Sequence, residues 1–414
     1  MFESNPDRHG NAPWRLQIAS SPLAVDAATW NALLARQAAP TPFMRHEYLS
    51  ALHASGSAVP DTGWTPLFML LWQADELAAA CPLYLKSHSH GEYVFDWAWA
   101  RAYHEHGLAY YPKALIAVPF TPVPGSRLLA RDAAARQALI VAVRDWCRAE
   151  RLSSLHLLFG DEADFNACAS AGLMRRDQVQ FHWKNQHPAD AARPFASFDD
   201  FLASLAQDKR KKIRQERRRV AEAGLGFRAL HGTAITPADW AFFYRCYETT
   251  YLEHGNPPYL TPEFFDAMAR AMPENWLLFV AERDGAPIAS SLVALMADFV
   301  GSGGPKDQLT VAYGRYWGAL HRVHSLHFEL CYYQPIEWCL AHGVPRFEGG
   351  AQGEHKMARA LLPVVTHSAH WLAHPAFSDA VEDFLQRESA HATRYLAHLQ
   401  AHSPFRRPDD GGSN

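Results

Sequence analysis

Apolar runs separated by short polar turns recur twice along the chain in the same order. The segment WTPLFMLLWQADELAAACPL (64–83) predicts two strands joined by a turn at 73–76. The segment WLLFVAERDGAPIASSLVAL (276–295) repeats this plan, with its turn at 283–285. Each segment follows a Thr-Pro pair, at residues 41 and 261, which predicts a helix start with threonine at the cap position and proline in the first turn.

The repetition continues beyond the two hairpins. Residues 144–159 predict a helix, a short loop and a strand, and residues 336–349 predict the same succession. FHW (181–183) and AHW (369–371) then follow these segments at equal distances along the chain. Several matches in one order indicate a duplication with a period of about 200 residues, which is typical of paired domains and too long for a solenoid.

The duplicated plan predicts a mixed α/β (α+β) architecture in two tandem domains. The chain has 414 residues, of which 48% are hydrophobic, so it can fill two cores. The segment 185–197, NQHPADAARPFAS, combines proline, alanine and polar residues and predicts a linker. We therefore expect an N-terminal domain at 1–190 and a C-terminal domain at 191–414 that carries the active site.

The N-terminal segment, the apolar runs and the cysteines bear on the cellular location of the protein. MFESNPDRHG (1–10) lacks an apolar signal region, and no later apolar run approaches the roughly 18 residues of a membrane span. The six cysteines form no CxxC pair, which is typical of a reducing compartment. We expect a cytoplasmic protein, and peripheral contact with the inner face of the membrane stays open.

The net charge of −4 conceals a basic segment, KRKKIRQERRR (209–219), whose one acidic residue is Glu216. An acidic chain with one basic segment excludes a dedicated DNA-binding protein but suits a phosphate-bearing partner. Coenzyme A, a nucleotide- or lipid-linked acceptor, an RNA and an anionic bilayer are the alternatives. A solvated helix without a partner is the simpler interpretation.

The segment SLHFELCYYQPIEWCLAHG (325–343) predicts a strand that runs into a helix after Gln334 and Pro335. A helix entry of this kind exposes backbone N–H groups that can hold an anion. On the predicted strand, His327 and Glu329 share one face, and either could accept a proton from an attacking amine. The alternative is an ordinary strand-to-helix connection with Glu329 in a structural salt bridge.

The glycine-rich segment GGAQGEHKMARA (349–360) follows a predicted strand at 346–348 and precedes a predicted helix. It is no phosphate-binding Walker loop, because Lys356 does not directly follow Gly353. We predict positive φ at the three glycines, which would let a ligand approach the backbone: Gly349, Gly350 and Gly353. His355 is an alternative base, and Lys356 could position a charge.

A metal site is not expected. Residues 354–356 are consecutive, so their side chains would fan out around a helix. The histidine pairs at 88–90 and 104–106 lack the spacing of a zinc site. The aromatic segment 93–111, with Trp97 and Tyr103, could instead line an apolar acceptor pocket or fill a core.

Together, the blocks at 325–371, the basic segment and YYPKALIAVPFTPVPGSRLL (110–129) resemble the FemAB-like N-acyltransferases of the GNAT superfamily, also described as peptidoglycan-biosynthesis-like proteins. The resemblance covers nearly the whole chain. It implies two tandem GNAT-like domains with mixed sheets and transfer of an acyl group to an amine without a metal. YYQPIEW departs here from the usual glycine-rich phosphate loop of that superfamily.

The resemblance also implies binding residues. The donor would contact the helix start and the glycine-rich segment: Tyr332, Tyr333, Gln334, Gly350, Gly353 and Lys356. Basic residues near the start of the second domain would contact an acceptor: Lys209, Arg210, Lys212, Arg214 and Arg217. Fem transferases use aminoacyl-tRNA, but no sustained heptad pattern predicts a coiled-coil tRNA arm, so a tRNA partner ranks below a thioester.

The leading hypothesis is an N-acyltransferase with no permanently bound cofactor. Acyl-CoA or an acyl carrier protein thioester would be the co-substrate, and a small-molecule or lipid-like amine, such as a sphingoid base, would be the acceptor. Glu329, His355 or His327 would act on the proton. The alternatives are an aminoacyl-tRNA-dependent Fem-type transferase and a non-catalytic scaffold that binds a phosphorylated ligand or a partner protein through 209–219.

Overall fold

In the computed structural model, the described residues are 12–297, 308–350 and 353–406. The N-terminal decapeptide and residues 351–352 of the glycine-rich segment lie outside them. The chain forms two compact units. Unit 1 comprises the described residues of 1–178 and 366–392, and unit 2 comprises those of 179–365 and 393–414.

Unit 1 is built around a mixed sheet. In order across the sheet, its strands are β1 (Trp14–Ala19), β2 (Trp64–Gln73), β3 (Glu76–Lys86), β4 (Lys113–Ile116), β6 (Ser154–Leu158) and β13 (Leu362–Leu372), and β5 (Leu129–Ala130) pairs with β3. All its pairs are antiparallel except β4 with β6. The first elements are β1 (Trp14–Ala19), α1 (Ala27–Ala35), α2 (His46–Ala54), β2 (Trp64–Gln73), β3 (Glu76–Lys86) and α3 (Trp97–Glu105). The next are β4 (Lys113–Ile116), β5 (Leu129–Ala130), α4 (Ala133–Ala149), β6 (Ser154–Leu158), α5 (Glu162–Ser170) and the start of β7 (Met174–Lys184).

Unit 2 has a sheet in the order β7-β12-β11-β10-β9-β8, in which β11 and β12 form the one parallel pair among the described strands. Its elements begin with α6 (Phe198–Ser204), α7 (Gln207–Glu222), β8 (Leu225–His231), α8 (Pro237–Glu253), α9 (Pro262–Ala271), β9 (Trp276–Arg283) and β10 (Ala286–Ala297). They continue with β11 (Leu309–Ala319), α10 (Leu326–Phe328), α11 (Gln334–Ala341), β12 (Arg346–Glu348), β13 (Leu362–Leu372) and α12 (Pro375–Ala401). Of these, β13 and α12 also contribute to unit 1.

The predicted duplication is confirmed in the hairpins. The hairpin β2–β3 pairs Gln73 with Glu76 at its turn, and β9–β10 pairs Arg283 with Ala286. The predicted helix-to-strand successions are α4 to β6 and α11 to β12. Each sheet therefore contains a long antiparallel hairpin and one short parallel pair, and the apolar side chains of each unit form their own buried clusters.

The last strands of the two repeats are exchanged between the units. In unit 2, the end of β7 pairs with β12, and in unit 1, β13 pairs with β6. FHW lies on β7 and AHW on β13, so equivalent sequences take equivalent places in opposite units. The compact units consequently do not follow the single division predicted at 190/191: the chain enters unit 2 at 179, and residues 366–392 belong to unit 1.

The strand predicted from residue 325 is wrong. Leu326–Phe328 is α-helical, Glu329–Tyr333 forms a π-helical turn, and Gln334–Ala341 continues as α-helix. The buried side chains Leu326, Leu330 and Tyr333 recur at helical spacing, and this periodicity prevailed over the short alternation of the sequence. The strand that precedes this helix is β11. Within the described residues, no helix is both long and apolar enough to cross a membrane.

Candidate functional site

The parallel strands β11 and β12 separate at Glu348. Their register pairs Ala312 with Phe347 and Tyr313 with Glu348, after which β11 continues to Ala319 while β12 ends. On its other edge, β12 pairs Glu348 with His182 of β7. The carboxylate of Glu348 thus lies at the point where two neighbouring parallel strands part, which is a common place for ligands in α/β proteins.

Glu348 is a buried carboxylate with little compensation. It is 4% exposed, and its Oε2 has no hydrogen-bond partner in the described part of the chain. Its Oε1 lies 3.2 Å from Nε of Arg346, whose side chain is 45% exposed. Burial raises the pKa of Glu348 to about 7, and Arg346 opposes this rise only in part. Such a carboxylate can both accept and release a proton near neutral pH.

His182 does not neutralise this carboxylate. Its Nε2 lies 3.8 Å from Oε2 of Glu348 and 3.2 Å from Oε1 of Gln180. Burial lowers the pKa of His182 to about 3, and Arg346, Lys356 and Lys184 also disfavour its protonation. At neutral pH, the histidine is therefore uncharged, and the contact with Glu348 is no salt bridge.

The glycines after β12 have two different roles. Gly350 and Gly353 have φ of 79° and 115°, as predicted, and these values favour glycine. Gly349 is not in the left-handed region. A Cβ at Gly349 would lie 2.5 Å from Cδ2 of Leu361, so close packing requires glycine at this position.

The residues after Gly353 form a 3₁₀ turn, Glu354–Arg359, rather than the predicted α-helix. Lys356 is 3% exposed and donates from Nζ to the carbonyl of Gly350 at 3.0 Å. Burial lowers the pKa of Lys356 to about 8. The pKa of this lysine is thus close to neutral pH, and its positive charge lies beside the backbone of the glycine-rich segment.

One aromatic group joins three of the predicted site residues. Nε2 of His355 lies 3.4 Å from the hydroxyl of Tyr332, and the rings of Tyr332 and His327 are 5.7 Å apart. His327 also packs against Trp317 of β11. Burial lowers the pKa of His327 to about 4, with His355 as a further cause, so a proton on His327 is disfavoured at neutral pH.

Glu329 faces a different environment from His327, in contrast to the predicted shared face. Its Oε1 accepts from Nη2 of Arg217 at 3.0 Å and from Nε2 of Gln334 at 2.8 Å. Burial raises the pKa of Glu329, and Arg217 opposes the rise. Because residues two positions apart point to different sides of a helix, Glu329 is directed to α7. The structure therefore places this predicted base in an ion pair.

Helix α7 is tied to the 354–359 turn by a buried ion pair. Nη2 of Arg359 donates to Oε1 and Oε2 of Glu216, at 3.0 and 2.8 Å. Tyr333 donates a hydrogen bond to the same carboxylate. Arg359 also donates from Nη1 to the carbonyl of His355 at 2.9 Å. The single acid of the basic segment thus positions the turn that carries His355 and Lys356.

The predicted acceptor residues on α7 are distributed over several surfaces. Lys209 pairs with the neighbouring Asp208, whereas Arg217 pairs with Glu329 and Glu337. Burial lowers the pKa of His355, and the charges of Lys356, Arg359 and Lys212 lower it further. Arg210 is partly exposed. The helix therefore brings Lys212 and Arg217 towards the predicted catalytic segments from two sides.

Trp97 and Tyr103 belong to α3 of unit 1. Trp97 is 40% exposed, whereas Tyr103 is 2% exposed and packs on Tyr110 and Phe377 at ring distances of 5.1 and 4.2 Å. Tyr103 is thus part of a core cluster, and Trp97 remains available at the surface. Across the described residues, no three His, Cys, Asp or Glu side chains come together as a metal site would require.

Glu348 and His182 were not selected from the sequence. The signal was nonetheless present, because Glu348 ends the strand before the glycine-rich segment and His182 is the central residue of FHW. Their chemistry arises from burial, which the local sequence does not reveal.

The family model FemAB-like, described as peptidoglycan biosynthesis/recognition, matches residues 21–407. This chain belongs to the FemAB-like family. No curated protein sequence matches it. The mixed α/β architecture agrees with the predicted fold class, and membership of the FemAB-like family supports a transferase.

Solved structures resemble this FemAB-like chain in fold. FemX has 10% identity and a TM-score of 0.51, with 86% of this chain and 98% of FemX covered. L-PGS from Bacillus licheniformis has 9% identity and a TM-score of 0.51, with 89% of this chain and 99% of its own covered. At these identities the likeness concerns the fold alone.

Proposed function

We propose that unit 2 catalyses N-acyl transfer from an acyl thioester, on coenzyme A or an acyl carrier protein, to a primary amine. The observation that carries this proposal is the buried carboxylate of Glu348, with a pKa of about 7, where β11 and β12 part. An attacking amine must lose a proton, and a base with a pKa near the working pH is suited to accept it.

The proposed reaction transfers one acyl group and one proton. The amine nitrogen attacks the thioester carbonyl, the acyl–sulfur bond breaks, and the acyl–nitrogen bond forms. Glu348 takes the proton from nitrogen and returns it to the leaving thiolate. Backbone N–H groups of β11 beyond Tyr313 would hold the developing oxyanion, because β12 ends at the residue paired with Tyr313.

The donor would be held by the glycine-rich segment. Gly350 lies close to Gly314, since a Cβ on Gly350 would be 3.6 Å from the Gly314 carbonyl. Lys356 supplies a buried positive charge beside Gly350. Tyr332 and His355 line the same segment and would orient the thioester. A lipid-like amine, such as a sphingoid base, is the proposed acceptor, with a cytoplasmic site of action.

The test is thiol release from acyl thioesters offered with a panel of amines. Glu348→Gln is expected to lower amine-dependent release by about 10²- to 10⁴-fold, since it removes the base. Glu222→Gln makes the same chemical change at an exposed residue of α7 and should leave release unchanged. Full activity of Glu348→Gln would overturn the assignment, and Glu329→Gln and His355→Ala test the bases suggested by the sequence.

A Fem-type transferase that uses aminoacyl-tRNA is the second candidate. The family description, peptidoglycan biosynthesis/recognition, favours it. Transfer of a labelled amino acid from charged tRNA to a cell-wall peptide precursor, abolished by ribonuclease, would select this candidate over the thioester reaction. Absence of both activities over the full panels would favour a scaffold that binds its ligand without chemistry.

A further inference from the structure

A pocket of about 430 Å³ lies between α6, α7, β8 and the π-turn of unit 2. We propose that it binds a single-chain amphiphile with an anionic head group. The proposal does not depend on the acyl transfer proposed above, because Glu348, Gly350, Tyr332, His355 and Lys356 do not line the pocket. Its lining does include residues that the sequence analysis considered for the acceptor, the donor or the proton: Arg214, Arg217, Glu329 and Gln334.

The floor of the pocket is apolar. Phe198 and Leu202 of α6 and Val220 of α7 contribute buried side chains, which are 9%, 3% and 1% exposed. Leu225 and Phe227 of β8 are half-buried and extend this surface. An alkyl chain that lies on this floor is removed from water, and binding is favoured by the apolar surface that the chain buries.

The rim of the pocket is basic. Arg214 and Arg218 are exposed, line the pocket and have no carboxylate partner in the described portion of the chain. Asp199 is the acidic residue on the rim, and it lies in the first turn of α6, where the helix N-terminus compensates its charge. Two unpaired guanidinium groups beside an apolar floor suit a phosphate or carboxylate attached to a chain.

The interior cannot take the anionic head. Glu329 is buried at the inner end, and its charge is balanced by Arg217, which also lies over the Phe198 ring at 4.7 Å. A second anion there would be repelled by Glu329 and would compete for Arg217. The head is therefore placed at Arg214 and Arg218, and the chain lies along Phe198, Leu202 and Val220.

The size of the pocket favours one chain. Ligand pockets in proteins commonly measure about 300–1,000 Å³, and this one is at the small end of that range. A two-chain lipid would leave much of its apolar surface in water. A lysophospholipid and a fatty acid share the required chemistry, and separate arms of the experiment distinguish them.

The experiment measures binding by calorimetry below the critical micelle concentration. The probes are oleoyl lysophosphatidic acid, oleate, glycerol 3-phosphate and monooleoylglycerol. We expect lysophosphatidic acid or oleate to bind. Glycerol 3-phosphate, which is the isolated head, and monooleoylglycerol, which carries the uncharged chain, should bind at least tenfold more weakly. The stronger of the two anionic probes identifies the head group.

Two variants locate the binding. Arg214→Glu/Arg218→Glu should weaken binding of the amphiphile at least tenfold. Lys211→Glu/Arg219→Glu imposes the same change of charge on exposed residues of α7 outside the pocket and should alter it less than twofold. Ala221→Trp, at an exposed position of the lining, should block the pocket without changing its charge.

The outcomes separate a pocket from a charged surface. Equal losses in the two charge-reversed variants, or unchanged binding in Ala221→Trp, would overturn the proposal and indicate general attraction of anions to α7. Binding to phosphatidylglycerol vesicles gives the comparison, because both charge-reversed variants should weaken it alike while Ala221→Trp should not. Failure of every probe to bind would overturn the proposal whether or not the protein transfers acyl groups.

Discussion

Corresponding positions of the two units hold different chemical groups. In unit 1, His156 of β6 pairs in register with His370 of β13, and their Nδ1 atoms are 2.7 Å apart. In unit 2, Glu348 of β12 occupies the corresponding place and pairs in register with His182 of β7. Burial lowers the pKa of His156 to about 3, so the unit 1 pair is uncharged, whereas burial raises that of Glu348 to about 7.

The ends of β6 in unit 1 and β12 in unit 2, one strand from each parallel pair, also differ. In unit 1, Arg127 is 1% exposed and donates to the carbonyl groups of Leu158, Gly125 and Val123, so a side chain occupies the end of β6. In unit 2, β12 continues into Gly349 and Gly350. The duplicated fold thus has one copy closed by buried polar groups and one copy with a carboxylate at a glycine-rich end.

The largest expected effect is a loss of stability when the buried cation of unit 1 is removed. Lys113 is fully buried, donates to Glu92 at 2.8 Å, and forms a short ion pair with Asp96. Lys113→Met would leave buried carboxylates without their cation, so the free energy of unfolding should fall by about 3–5 kcal/mol. Denaturant unfolding measures this, with the exposed Lys211→Met as the control. Equal stability of both variants would mean that the unit 1 charges are not paired as described.

The ion pair of Glu216 with Arg359 tests positioning in unit 2. Glu216→Gln weakens the link between α7 and the 354–359 turn, and displacement of His355 and Lys356 by about 1 Å should lower kcat/KM about 100-fold. Glu216→Asp should restore part of the activity if charge is what matters. A purely structural role predicts that both variants lose thermal stability while the KM for the donor stays the same.

The pair of Arg217 with Glu329 gives a smaller effect that depends on pH. The folded pKa of Glu329 is already raised, and Arg217→Gln removes the group that opposes this rise. A raised folded pKa favours the folded state at low pH, and this contribution is lost as the carboxylate ionises. The variant should therefore match the wild type near pH 4 and be about 1 kcal/mol less stable at pH 8. Glu329→Gln in the same background should remove this pH dependence, and its persistence would contradict the account.

The sequence predicts the local elements well because their periodicity is local. The hairpins β2–β3 and β9–β10 alternate over long segments with clear turns, and the structure confirms both. Over 326–330, however, the alternation is too short to exclude a helix. The buried residues Leu326, Leu330 and Tyr333 fit a helical spacing as well as the alternation fits a strand. Tertiary packing then stabilises the helix.

The exchange of strands and the chemistry of Glu348 could not be predicted in this way. FHW and AHW have the same pattern, so the local sequence does not indicate which sheet each strand completes, and long-range pairing decides it. The charge state of Glu348 depends on which side chains surround it after folding. His355 and Lys356 could be identified from a glycine-rich segment, whereas His182 becomes relevant only when β7 pairs with β12.

The most direct test of this account is the titration of the Glu348 carboxyl group. Glutamate labelled with ¹³C at the side-chain carboxyl gives one resonance for each residue, and the signal missing from Glu348→Gln identifies Glu348. We expect its midpoint at pH about 7, in the absence of any substrate. A midpoint near the ordinary glutamate value of about 4.3 would contradict the assignment of a buried, uncompensated base to unit 2.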